Sequence, residues 1–163
     1  MGDIYGARPG SENVSYRATS SFRCESGTPA LARKWSLARI EEALADETSA
    51  GDTAELLDDA ALIVSELVTN AVRAGCGRTQ LEVAVAERHL RIAVIDDAPG
   101  VPVILEPSAR DDHGRGLHIV AEVATDWGVK PLGDSKEVWA TLPIEHWTPP
   151  HPLSRGAINR GAA

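Results

Sequence analysis

The chain has no apolar run that approaches the roughly 20 residues a membrane helix needs. Its N-terminus, MGDIYGARPGSENVSYRA, has no apolar h-region of the secretory kind. Both absences predict a soluble, cytoplasmic protein with no membrane partner. Cysteine is scarce. Cys24 and Cys76 lie far apart in sequence and give neither metal-ligand spacing nor a disulfide framework, so two reduced thiols are expected. His89, His113, His118, His146 and His151 form no HExxH and no Cys/His cluster, which argues against zinc. Positive charge is also short. Sixteen Lys and Arg face 24 Asp and Glu, a formal net charge of −8. That balance argues against direct nucleic-acid binding, which rests on neutralising phosphates. It suits a basic protein partner.

A length of 163 residues fits one domain with short tails, and 43% hydrophobic residues can build a core. Residues 1–13 are Gly-, Ser- and Pro-rich and polar, and read as a flexible arm. Residues 14–143 read as the domain. Residues 144–163, rich in Pro, His, Gly and Arg, read as a disordered tail. There is no internal repeat.

Within the domain, VSYRATSSFRC (14–24) reads as a strand. Thr28 is placed to cap the next helix, with Pro29 at its first position. That helix runs to about Asp46, with Leu31, Trp35, Ala38, Ile40 and Leu44 at helical spacing. Residues 47–53 read as a loop, with Asp52 or Thr53 capping a second helix.

The stretch DDAALIVSELVTNAVRAG (58–75) predicts that second helix and gives it two faces. At about 100° per residue, Leu57, Ala60, Ala61, Val64, Leu67, Val68, Ala71 and Val72 gather on a core arc. Asp59, Glu66, Asn70 and Arg73 stack in one row opposite. Leu62 and Ile63 share that polar arc, and two large aliphatics there suggest a face that lines something. Gly75-Cys76-Gly77 ends the helix.

LEVAVA (81–86) and LRIAVI (90–95) alternate as strands joined by a short hairpin connection, which argues for an antiparallel sheet. From Asp96 to His113 the chain has little periodicity, and a loop of that length is usually functional. Leu117, Val120, Ala121 and Ala124 mark a further helix. Trp127–Val129 and Glu137–Leu142 read as a last strand pair around Gly133-Asp134-Ser135.

The chain has no GxxxxGK[ST], no dinucleotide-type GxGxxG and no GxSxG elbow. Three other stretches fall in order: Glu66 and Asn70 on a helix, Asp96 to Gly100 at a strand end, and Gly114-Arg115-Gly116-Leu117 at a helix start. A carboxylate at a strand end can accept from an exocyclic amine. Glycine at a helix N-terminus lets backbone N–H groups meet phosphate. An Asn oxygen and a nearby Glu can serve Mg²⁺ and an attacking hydroxyl. The loop between the second and third stretches would form a lid.

SELVTNAV (65–72), IDDAPG (95–100), HGRGLHIV (113–120) and KEVWATLP (136–143) together resemble the GHKL (Bergerat-fold) ATPases. The likeness is greatest to the small actinobacterial branch similar to anti-sigma-factor serine-protein kinases, and covers about Tyr16 to Leu142. It implies an α/β (α+β) sandwich with a mixed, mostly antiparallel sheet and helices on one face. It implies ATP and Mg²⁺ as cofactors. Asn70 would hold the metal and Glu66 would activate the nucleophile. Asp96 would accept from the adenine amine, and Gly100 would let the backbone pass the base. Gly114, Arg115, Gly116 and Leu117 would wrap the phosphates. Leu62 and Ile63 would be buried beside that pocket.

The family's first glycine box is D-x-G-x-G, and here Ala98 takes the middle position. A Cβ at a site needing positive φ would cost about 1 kcal/mol or more and weaken ATP binding. The branch carries Gly-Lys-Thr before Val-Trp, where this chain has Ser135-Lys136-Glu137. A glutamate there would repel phosphates. The resemblance implies a homodimeric anti-sigma factor that sequesters a sigma factor and phosphorylates a small antagonist protein on Ser. The alternative is a weakly binding or non-catalytic module acting by partner exchange, which the two departures favour. A two-component kinase domain is disfavoured for want of a His-bearing dimerisation helix pair, and a motor ATPase by length.

Overall fold

The computed structural model describes residues 14–45, 50–100 and 115–145. The expected arm, the lid loop (101–114) and the tail beyond 145 lie outside the described residues. In chain order the elements are β1 (Val14–Arg23), α1 (Thr28–Leu44), α2 (Ala50–Arg73), β2 (Arg78–Ala86), β3 (His89–Asp96), α3 (Arg115–Val123), β4 (Asp126–Leu132) and β5 (Ser135–Pro143). The five strands form one sheet in the order β1-β2-β3-β5-β4. Every described pairing is antiparallel, where the resemblance implies a mixed sheet. Two-residue connections, Glu87-Arg88 and Gly133-Asp134, enforce this in the β2–β3 and β4–β5 hairpins. The return through α3 and β4 then leaves β5 beside β3.

Strand alternation builds the core in rungs. Leu81, Val94 and Val138 face one another across β2, β3 and β5. Val83, Ile92 and Ala140 form the next rung, and Val85, Leu90 and Leu142 the third. All nine are buried in one cluster with the helices, so the helical layer covers this face. The opposite face carries a charged row. Glu82 bonds Arg91 at 3.2 Å, and Arg91 also pairs with Glu137. The Arg91 guanidinium lies 5.5 Å from the Trp139 ring centroid.

Helix α2 buries Ala60, Ile63, Val64, Leu67, Val68 and Ala71, close to the arc its periodicity marks. Ile63 is in the core as expected. Leu62 is not: it is 37% exposed, because its position turns it outward from the layer. Helix α1 buries Ala32, Ser36, Ile40, Ala43 and Leu44. Leu31, expected in its core face, is 62% exposed, and Ala38 is exposed too. Small residues mark the buried face of α1, where it packs on α2, and size-weighted apolar spacing misplaces that face.

Helix ends differ from the expected caps. Gly27 occupies the N-cap of α1 with no side-chain cap bond. Thr28 instead donates from Oγ1 to the Arg23 carbonyl and accepts from the Glu25 N–H at 2.9 Å, which ties β1 to the helix start. Helix α2 begins at Ala50, so Asp52 and Thr53 lie inside its first turn and do not precede it. Its C-terminus obeys the expected glycine signal. Gly75 has φ 81°, Cys76 N–H donates to the Ala71 carbonyl at 3.2 Å, and Gly75 N–H donates to the Val72 carbonyl at 3.1 Å. This is a Schellman motif.

Two further expectations are corrected. Ile144, expected in the tail, is 2% exposed and joins the core, held by its N–H to the Arg88 carbonyl at 2.7 Å. Cys24 and Cys76, expected as free thiols, form a disulfide. The end of β1 runs beside the α2–β2 connection, with Cys24 N–H donating to the Gly77 carbonyl, and this sets the two Cα atoms 5.7 Å apart. Sequence spacing carries no sign of that juxtaposition. The bridge closes 52 residues of sequence separation. Replacing both cysteines with serine should therefore lower stability by about 2–4 kcal/mol. Urea unfolding without reductant is the measurement, and a reductant should bring the native chain to the same midpoint.

Candidate functional site

The last two turns of α2 carry Glu66 and Asn70 on one row, and the Schellman end fixes that turn, with Ala74 N–H donating to the Asn70 carbonyl at 2.9 Å. The row faces the first turn of α3. A Cβ on Gly116 would lie 2.5 Å from Glu66 Oε2, 3.3 Å from Asn70 Nδ2 and 3.4 Å from Asn70 Oδ1. The glycine thus lets α3 begin directly against two polar side chains. Both are half-buried. Leu117, next in sequence, is 6% exposed and anchors α3 in the core. Its expected role at phosphate is therefore left to its backbone N–H, one of those at the helix start that have no intrahelical acceptor. Arg115 is the first residue of α3, and Gly114 lies outside the described residues.

A second group forms one rung beyond the hydrophobic core. Asp96 ends β3 opposite Lys136 of β5, on the helix-bearing side of the sheet. The two side chains are 2% and 9% exposed. Asp96 Oδ1 accepts from Lys136 Nζ at 2.7 Å and from the Ala98 N–H at 2.9 Å. Lys136 Nζ also donates to the Ala98 carbonyl at 2.9 Å. Sequence reasoning reaches Asp96 but misses Lys136. Its signal, matching positions on two strands, is readable only once β3 is known to pair with β5. Gly100 has φ 89°, a conformation suited to glycine where the chain turns out of the strand end.

Both departures lose the meaning that the family pattern gives them. Ala98 does not sit at positive φ: among the described non-glycine residues only Glu87 does. Ala98 is buried and carries no left-handed strain. Glu137 points to the far face of the sheet, paired with Arg91, because successive strand residues alternate. It thus lies on the opposite side of the sheet from Asp96 and Lys136.

Asp97, unassigned by sequence, braces this region. Its Oδ1 accepts from the Gly77 N–H at 2.7 Å and the Arg78 N–H at 3.1 Å. The Arg78 N–H, then that of Gly77, holds its carboxyl below the ordinary 3.8. Among the described residues no three of His, Cys, Asp and Glu gather into a metal-binding group. Two surface cavities, of about 230 and 360 Å³, lie around Ile144, and none of the expected site residues lines either.

The histidine kinase-like ATPase domain family matches residues 28–142. The chain belongs to that family. Among solved structures, the chain is similar to the RsbU and RsbW domains of Rv1364c from Mycobacterium tuberculosis, at 17% identity and a TM-score of 0.54. That match covers 83% of this chain and 34% of the other, so the chain spans about a third of the solved protein's length. The fold is thus a GHKL-type α+β sandwich. No curated protein matches the chain.

The family implies ATP, and the residues present fit it. Gly116 brings the backbone of the α3 start close against Glu66 and Asn70, where a Cβ would collide with the Glu66 carboxylate, and Asn70 presents an amide oxygen beside it. A hard cation held there by one protein oxygen would complete its shell with phosphate and water oxygens, as Mg²⁺ commonly does.

Gly116→Ala adds a Cβ whose nearest neighbour is the mobile end of Glu66, so the fold should tolerate it within about 1 kcal/mol. Nucleotide affinity should nevertheless fall roughly tenfold, a loss of about 1.4 kcal/mol, measured by calorimetric titration beside a thermal melt. Asp97 has its lower pKa in the folded state. Its contribution is complete above the ordinary 3.8 and is lost as pH falls through the folded value. Asp97→Asn keeps an acceptor but cannot titrate, so its stability should fall less steeply on acidification in urea melts across the acid range.

Proposed function

We propose that this ATPase domain is a regulatory serine-protein kinase and anti-sigma factor. It would bind Mg-ATP between α2 and α3, transfer phosphate to a seryl hydroxyl of a small antagonist protein, and sequester a sigma factor. The observation that carries the reading is the convergence of Glu66 and Asn70 on Gly116. Bound ATP supplies the phosphoryl group, with Mg²⁺ offsetting its charge. Asn70 Oδ1 would hold the metal. The N–H groups of 115–117, which have no acceptor within the helix, would hold phosphate oxygens at the positive end of α3. Glu66 would take the proton of the attacking hydroxyl. Asp96 would accept from the exocyclic amine of the base, and Gly100 would give the chain room beside it.

The remaining assignments belong to the same reading. A net charge of −8 suits a basic sigma-factor surface. The active form would be a cytoplasmic homodimer with an arm over 1–13 and a tail beyond Ile144. The rival reading, a module acting only by partner exchange, rests on Ala98 and Glu137. The backbone of the first and the direction of the second remove that support.

Mixing the protein with Mg-ATP and candidate antagonists should yield labelled phosphoserine. Glu66→Gln should cut transfer by about 10²–10⁴-fold while ATP still binds, and Asn70→Ala should abolish Mg-dependent ATP binding. Intact ATP binding in Asn70→Ala would refute the site assignment. Absence of transfer with ATP bound would return the partner-exchange module to favour.

A further inference from the structure

We infer that Lys136 is a positioning residue that fixes which purine the site accepts, by pinning one carboxylate oxygen of Asp96 and leaving the other for the base. The inference rests on Asp96 being the base-reading carboxylate. It starts from an asymmetry in how that group is bonded. Oδ1 accepts both the Lys136 ammonium and the Ala98 N–H. Oδ2 accepts no hydrogen bond from the described residues, although the side chain is only 2% exposed. Among the described residues the buried side-chain atom left without a partner is Arg39 Nε, so Oδ2 is not sealed off and keeps a side open to a donor.

The Lys136 ammonium does two things at once. It gives the buried carboxylate its counter-charge. By also bonding the Ala98 carbonyl, it ties the end of β5 to the segment leaving β3, so the carboxylate cannot rotate to exchange its oxygens. What remains for a base is one anionic acceptor. An amino group at the purine 6-position can donate to it. A 6-oxo group would set oxygen against oxygen and be rejected. With the ammonium gone, the carboxylate loses the bond that pins Oδ1 and can turn its other oxygen away from the 6-amino group. The contact that only a 6-amino purine makes is then weakened, so discrimination between the two purines collapses. Nothing of this is visible in the motif, because Lys136 reaches Asp96 only through the pairing of β3 with β5.

The test compares equilibrium binding of Mg-ATP and Mg-ITP to the full chain and to Lys136→Met by calorimetric titration. The native chain should prefer ATP, and the variant's ATP-to-ITP ratio should fall roughly tenfold or more. A purely structural role would weaken both ligands in parallel and leave the ratio unchanged, which would overturn the inference. Tighter ATP binding at an unchanged ratio would also overturn it, making Lys136 a competitor for the carboxylate. Should Lys136→Met fail to fold, Asp96→Asn with Lys136→Met removes both charges. The resulting amide can donate as well as accept, and a ratio near one is expected. A native ratio in that pair would again be contrary. If the native chain binds neither nucleotide, the nucleotide-site reading itself falls. Intact binding with an unchanged ratio removes only the role of Lys136.

Discussion

A slip of β5 by one residue against β3 would turn Lys136 out of the helix-bearing side, away from Asp96, and bring Glu137 in. Register is therefore the constraint on which the rest depends. Three apolar rungs hold it. Each would lose its β5 member from the core to the charged face if that strand shifted. The charged face resists the slip as well, because Glu82, Arg91 and Glu137 find their partners only in this register. The ion pair at the rung's end thus inherits its position from hydrophobic packing three strands wide.

The second half of the site depends on a helix end. Asn70 stands in the last turns of α2, and the Schellman closure at Gly75 stops the helix there. Behind that closure Cys76 is bridged to Cys24, and the Asp97 carboxylate holds the next two backbone N–H groups. A covalent bond and a charge-assisted brace thus converge on the few residues between α2 and β2. The brace joins the helix bearing Glu66 to the strand end bearing Asp96, and the disulfide ties the same connection to the end of β1. The chain needs no glycine-rich strand end for this: Ala98 fits with ordinary backbone angles.

Much is legible in the sequence. The alternation of β2 and β3, the rows of α2 and the order of the three motifs specify the element types, the antiparallel sheet and most of the core. Glu66, Asn70 and Gly116 can be named, because a polar row on an amphipathic helix and a glycine at a helix start are local signals. The misreadings also have local causes. Leu31 and Leu62 read as buried for being large and apolar, but tertiary placement decides which side of a helix is covered. Thr28 reads as a cap because its hydroxyl suits one, yet it finds acceptor and donor in the preceding turn instead.

Sequence by itself determined the alternation within β2 and β3, the helix rows and the glycine at the start of α3, since each is a signal carried along a single element. Tertiary structure alone decided three things. It joined Cys24 to Cys76, turned Glu137 to Arg91, and set Lys136 on Asp96. Each joins residues from elements distant in the chain, and each depends on which strands become neighbours. The row shared by Glu66 and Asn70 could be read from helical spacing, while the partner of Asp96 had to wait for the sheet order that laid β5 beside β3.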